Sequence, residues 1–82
     1  MSHTPHELAE EFPDKTELMS MLKTSDAHFA RLFDEYHEVN RAVHRAETRV
    51  DAMSQEAEEE LRRARMRLKD EIRSILASAP TT

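Results

Sequence analysis

The stretch Ser25–Met53, SDAHFARLFDEYHEVNRAVHRAETRVDAM, decides how this chain of 82 residues is read. Placing Phe29, Tyr36, Val43 and Val50 at position a of a heptad puts Leu32, Val39, Ala46 and Met53 at position d. None of these positions is charged, and that period marks one helix with a continuous apolar seam. Phe33 widens the seam near its beginning. A helix over about 26–51 would run roughly 39 Å at ~1.5 Å per residue.

The register is lost after Met53. The next d positions would be Glu60 and Arg67, whereas Leu61, Ala64, Leu68, Ile72, Ile75 and Leu76 return at helical spacing in another phase. A four-residue stutter could carry one helix through 26–77. Alternatively, the chain turns near 50–55 and a second helix starts with Asp51 or Ser54 as N-cap. The charges favour the turn. Glu56, Glu58, Glu59 and Glu60 suit the first turn of a helix, where the dipole welcomes anions. Folding back brings them near Arg45 and Arg49, and brings Asp34, Glu35 and Glu38 towards Lys69 and Arg73. Exposed pairs of this kind are worth only ~0–1 kcal/mol each, so they select a register rather than supply stability.

The expected fold is therefore all-α: an antiparallel, coiled-coil-like two-helix hairpin over 25–79, with helices at about 26–51 and 55–78. Its predicted core is Phe29, Leu32, Phe33, Tyr36, Val39 and Val43 against Leu61, Leu68, Ile72 and Ile75. Phe29 and Leu32 should lie near Ile75 and Leu76, and Val43 and Ala46 near Leu61 and Ala64. Residues 1–24 are read as short helical segments that pack on the hairpin or extend from it, and 80–82 as a frayed tail.

Within 1–24, Thr4-Pro5-His6-Glu7 reads as a helix start, with Thr4 as N-cap, Pro5 at the first position and Glu7 closing a capping box. Phe12-Pro13 must interrupt that helix. A second one is expected over 14–23, where Leu18 and Leu22 share a face. Ser25 is the expected N-cap of the long helix.

Composition supports this class. There is no glycine and no cysteine, and 35% of residues are charged, with good helix formers dominant. A chain this small buries a limited core, and no disulfide can compensate. No apolar run approaches the ~18 residues of a spanning helix, and the N-terminus is read as lacking a secretory signal, so a cytoplasmic protein without membrane contact is expected. The net charge of −5 disfavours nucleic acid as partner. It hides an asymmetry, because residues 1–60 carry −9 and residues 61–82 carry +4.

Candidate chemistry is sparse. His37 and His44 lie about two turns, ~10 Å, apart on a helix, too far to share one zinc ion. Asp34/His37 and His44/Glu47 have ligand-compatible spacing but read as solvated surface, and His3 and His6 have no second anchor. No Gly-rich phosphate loop or nucleophile–base set is present, and a two-helix hairpin offers little concavity for substrate. No enzyme activity, metal or cofactor is expected. The basic stretch LRRARMRLK could offer Arg62, Arg63 and Arg67 to phosphate, yet lacks aromatic residues to stack bases. Phe12, Leu18, Met19, Met21 and Leu22 form an apolar set that either completes the core or meets a partner.

Together, Phe12-Pro13, Leu22-Lys23, His28-Phe29, Leu32-Phe33, Tyr36, Arg45, Glu47 and Leu68-Lys69-Asp70-Glu71 resemble the pattern of the YdcH-like family of small bacterial proteins, over about residues 12–77. The resemblance implies a helix–loop–helix or coiled-coil fold in the bacterial cytoplasm and carries no activity, because that family is a domain of unknown function. The connector RVDAMSQEA departs from relatives that place glycine there. The expectation is a non-enzymatic helical adaptor or regulator binding an unidentified protein or a second copy of itself as a dimer. The alternatives are a nucleic-acid-associated factor and a structural coiled-coil spacer.

Overall fold

The computed structural model describes residues 5–48 and 52–78. Thr4, His3, Arg49, Val50, Asp51 and the tail from Ala79, with the expectations placed on them, lie outside the described residues. The order is α1 (Leu8–Glu11), a 3-10 turn (Pro13–Lys15), α2 (Thr16–Ser25), α3 (Ala27–Glu47) and α4 (Gln55–Ser78), with no strand among the described residues. The chain is all-α, and the two long helices pack against each other.

Local chemistry sets the boundaries. Glu7, not Thr4, is the N-cap of α1, and its N–H donates to Glu10 Oε1 at 3.4 Å. The helix starts later than expected because His6 stands at φ 62°, in the left-handed region where a helix cannot run. Phe12 and Pro13 end α1 as expected, and Pro13 opens the 3-10 turn. Ser25 does not cap α3. Its hydroxyl donates to the Met21 carbonyl at 2.9 Å, as does that of Thr24, which closes α2. Asp26 takes the N-cap instead, and its Oδ1 accepts from the N–H groups of His28 at 3.0 Å and Phe29 at 3.2 Å.

At the far end, Thr48 Oγ1 donates to the His44 carbonyl at 2.9 Å. Ser54 caps α4, its Oγ accepting from the Ala57 N–H at 3.1 Å. The break between Glu47 and Gln55 excludes one uninterrupted helix. Such a helix over 26–77 would be about 78 Å long, whereas the longest extent of the molecule is 45 Å.

The core is one cluster of Leu8, Met19, Phe29, Leu32, Tyr36, Ile72 and Leu76. Phe12, Leu18, Leu22, Phe33, Leu68 and Ile75 are half-buried against it. Every helix contributes, so residues 8–22 form a third layer over α3 and α4. Two helices leave one side of an aromatic stripe wet. Burying it stabilises by about 25 cal/mol per Å² of apolar surface, which favours docking of the N-terminal helices. Val43 and Ala46 are also buried, and Val39 and Leu61 half-buried.

Candidate functional site

The most elaborate polar arrangement lies where the N-terminal segment crosses α3 and α4. Asn40 is 1% exposed, one helical turn from Tyr36, on the flank of the apolar seam. A buried amide needs partners for its donors and its acceptor. Asn40 Nδ2 donates to the Pro5 carbonyl at 2.8 Å, and Arg65 Nη1 donates to Asn40 Oδ1 at 3.0 Å. The Tyr36 hydroxyl donates to the His6 carbonyl at 2.7 Å. Two consecutive backbone carbonyls are thus held by two side chains of α3, which offsets the strain of the left-handed His6. Leu8, fully buried, anchors the segment in the core.

Further side-chain contacts flank this clamp. His37 Nδ1 lies 2.8 Å from Glu7 Oε2, and the His37 ring sits 4.5 Å from that of Phe33. His37 is therefore a half-buried tie to the N-terminal segment, not a solvated surface residue. Lys69 of α4 is bonded to Glu11. Its ammonium holds the Glu11 carboxyl below the usual 4.5, against the opposing effect of burial and with help from His6. Burial pushes the Tyr36 hydroxyl up to about 12; the charges of Glu11 and Glu7 add to the shift, and that of Arg65 opposes it. Tyr36 is accordingly a neutral donor throughout the ordinary pH range.

Asp34, Glu35 and Glu38 are exposed and were expected to meet Lys69 and Arg73. Instead Lys69 reaches Glu11, while Arg73 bonds Asp70 at 3.0 Å and lies 5.7 Å from the centre of the Phe12 ring. The N-terminal segment intercepts those cations because it lies across α3 and α4. Towards the connector, Arg62 bridges Glu47 and Glu58 at 3.2 Å each, and Arg63 bonds Glu60 at 3.0 Å. Arg67 is exposed, with no ionic partner among the described residues.

The predicted apolar set separates. Met19 is buried and Phe12, Leu18 and Leu22 pack on the core, whereas Met21 is 55% exposed. Met66 of α4, not singled out from the sequence, is 62% exposed. A cleft of about 260 Å³ opens beside Met66, walled by Arg62, Arg65 and Lys69, with Tyr36 and Glu11 among its lining. A smaller one of about 150 Å³ lies between α2 and Phe33. Among the described residues no group of three or more His, Asp or Glu side chains could hold a metal ion, and no helix is long and apolar enough to cross a membrane.

Sequence reasoning missed Leu8, Asn40 and Arg65. Asn40 carried a signal: a single uncharged polar residue flanking a long apolar seam needs a buried partner. A family model described as "Protein of unknown function (DUF465)" matches residues 29–76, more than half of the chain. Neither the curated proteins nor the solved structures contain a match.

Proposed function

The chain belongs to the DUF465 family of small bacterial proteins, and we propose that it is a non-enzymatic helical adaptor or regulator that works by protein–protein contact. In this reading the working unit is an antiparallel, coiled-coil-like hairpin of α3 and α4 acting in the cytoplasm, with the N-terminal segment as its third layer. The pairs Glu47–Arg62, Asn40–Arg65 and His28–Glu71 support opposite helix directions, since the residue number falls on one helix as it rises on the other.

One observation carries the reading. Among the described residues the other large apolar side chains are buried or half-buried, yet Met21 and Met66 stand exposed. Methionine is flexible and polarisable, and it adapts to irregular partner surfaces. The polar groups, by contrast, are spent on holding the fold: Tyr36, Asn40, Glu7, His37, Glu11 and Lys69 all tie the N-terminal segment down.

The test is a tagged pull-down from the bacterium that encodes the chain, split into nuclease-treated and untreated halves. A discrete protein should survive nuclease and be lost on Met21→Ser or Met66→Ser, variants that leave the core intact. Recovery that vanishes with nuclease, or a partner indifferent to both methionines, would defeat the adaptor reading.

A further inference from the structure

We propose that the cleft beside Met66 takes a side-chain carboxylate from an acidic–apolar segment of a partner protein, with Arg65 as the recognising cation and Met66 as the apolar contact. This deepens the adaptor reading and rests on it.

Along α4, Arg62 is shared by Glu47 and Glu58, Arg63 belongs to Glu60, Lys69 to Glu11 and Arg73 to Asp70. Among the described residues, a polyanion approaching this strip would meet four of its cations each beside a carboxylate and Arg67 alone exposed and unpaired, on a chain of net charge −5. Nucleic acid is therefore a poor fit. Arg65 differs. Among the described residues its one bonded partner is the neutral amide oxygen of Asn40, which consumes an N–H of Nη1. A guanidinium has five N–H donors in a planar fork and no acceptor, so most of its capacity is unspent. It is half-buried, where a charge without a counter-charge is costly and an incoming anion is worth more than at an open surface.

The surroundings fix the rest of the ligand. Arg62, Arg65, Met66 and Lys69 follow one another at helical spacing on a single face of α4, so a ligand that reaches Arg65 also touches Met66. Of the three cations in the walls, Arg62 is held by Glu47 and Glu58 and Lys69 by Glu11, so Arg65 is the one without a carboxylate partner among the described residues. A lone carboxylate satisfies the fork of Arg65 in a bidentate way, and an apolar neighbour in the same segment covers the exposed thioether. The volume of about 260 Å³ admits side chains rather than a folded domain.

The experiment pans a displayed random-peptide library against the immobilised full chain. The enriched peptides are then titrated against the wild type, Arg65→Gln, Arg65→Lys, Met66→Ala, Arg67→Gln and Met21→Ser. The expected consensus places Glu or Asp beside an apolar residue. Arg65→Gln should weaken binding about tenfold or more, the scale of one lost charge-assisted pair. Met66→Ala, at an exposed position that cannot disturb folding, should weaken it too, while Arg67→Gln should not. Replacing the peptide's own acid by its amide should match the loss in Arg65→Gln. Enrichment of peptides without an acid, no enrichment, or indifference to both Arg65→Gln and Met66→Ala overturns the proposal. Binding lost only in Met21→Ser overturns the cleft but leaves the adaptor reading standing. Two further arms complete the test. A salt-sensitive dimer of the wild type that Arg65→Gln abolishes in sedimentation would assign the cleft to a second copy. A duplex oligonucleotide retained by the wild type and released by Arg67→Gln would assign the strip to nucleic acid. Either result overturns the peptide assignment.

Discussion

The two ends of the α3–α4 pair solve the same problem differently. At the end around Phe29, Leu32 and Tyr36, large side chains meet Ile72 and Leu76, and α1 and α2 cover them from a third side. At the connector end the buried residues are Val43 and Ala46, small enough for two helices to enclose, and neither belongs to the main cluster. A polar tie accompanies them, Glu47 with Arg62, while Asn40, bonded to both Arg65 and the Pro5 carbonyl, marks the border where the N-terminal segment still reaches α3. Side-chain size thus tracks the number of layers. Where a third layer exists the sequence spends aromatics, and where it is missing the sequence shrinks the seam and surrounds it with charge. Packed helices are held by burial more than by propensity, so stability should be concentrated at the three-layered end.

The sharpest way to break this comparison is to empty one site at each end. Phe29→Ala removes a fully buried ring and should cost about 3–5 kcal/mol, enough to unfold a domain this small at room temperature. Val43→Ala removes two carbons at ~0.8 kcal/mol each plus a small cavity, roughly 2 kcal/mol, and should leave a folded protein with a lower melting temperature. Circular dichroism on heating reads both. Equal losses, or a larger loss at Val43, would show that the two ends are energetically alike.

A smaller perturbation asks whether the third layer belongs to the fold. Leu8→Ala should cost about 2–5 kcal/mol if that layer is integral, and it should quicken hydrogen exchange across α1 and α2 together with the Tyr36 end of α3. If α1 is merely laid on the surface, exchange would rise in residues 5–12 alone and the melting temperature would hardly move. The burial of Leu8 favours the first outcome.

The all-α class and the packing of two long helices were legible because a clean heptad seam of Phe29, Leu32, Tyr36, Val39 and Val43 admits few other uses. The stop at Phe12-Pro13 was legible for a local reason, the missing N–H of proline. What escaped was non-local. Leu8 stands alone among polar neighbours, so no period marks it as core. The partner of Asn40 is the carbonyl of Pro5, 35 positions away, and side-chain patterns do not encode which carbonyl a segment will present. Ser25 and Asp26 are both good N-caps. The choice fell to Asp26 because the Ser25 hydroxyl closes α2 first. The same non-locality hid the cleft, since Arg65 and Arg67 look alike in a run of cations and differ only in what lies opposite.

The smallest effect concerns the tie between α4 and the N-terminal segment. The Glu11 carboxyl, with Lys69 against it and His6 beside it, titrates below its usual 4.5 in the folded chain. A depressed folded pKa contributes stability that is present above the unfolded value and is lost as pH falls through the folded one. Melting temperature should therefore decline as the solution is acidified from about 5 to below 4.5. Lys69→Met keeps most of the side-chain stem and removes the charge. The two proteins should differ most near neutral pH and converge once Glu11 is protonated in both. Because the pair is partly exposed, the gap should be small and should shrink further in high salt. A gap that persists unchanged into acid would mean that Lys69 acts through its hydrocarbon stem, and that the segment is held by Leu8 and the two carbonyl contacts of Tyr36 and Asn40 without help from charge.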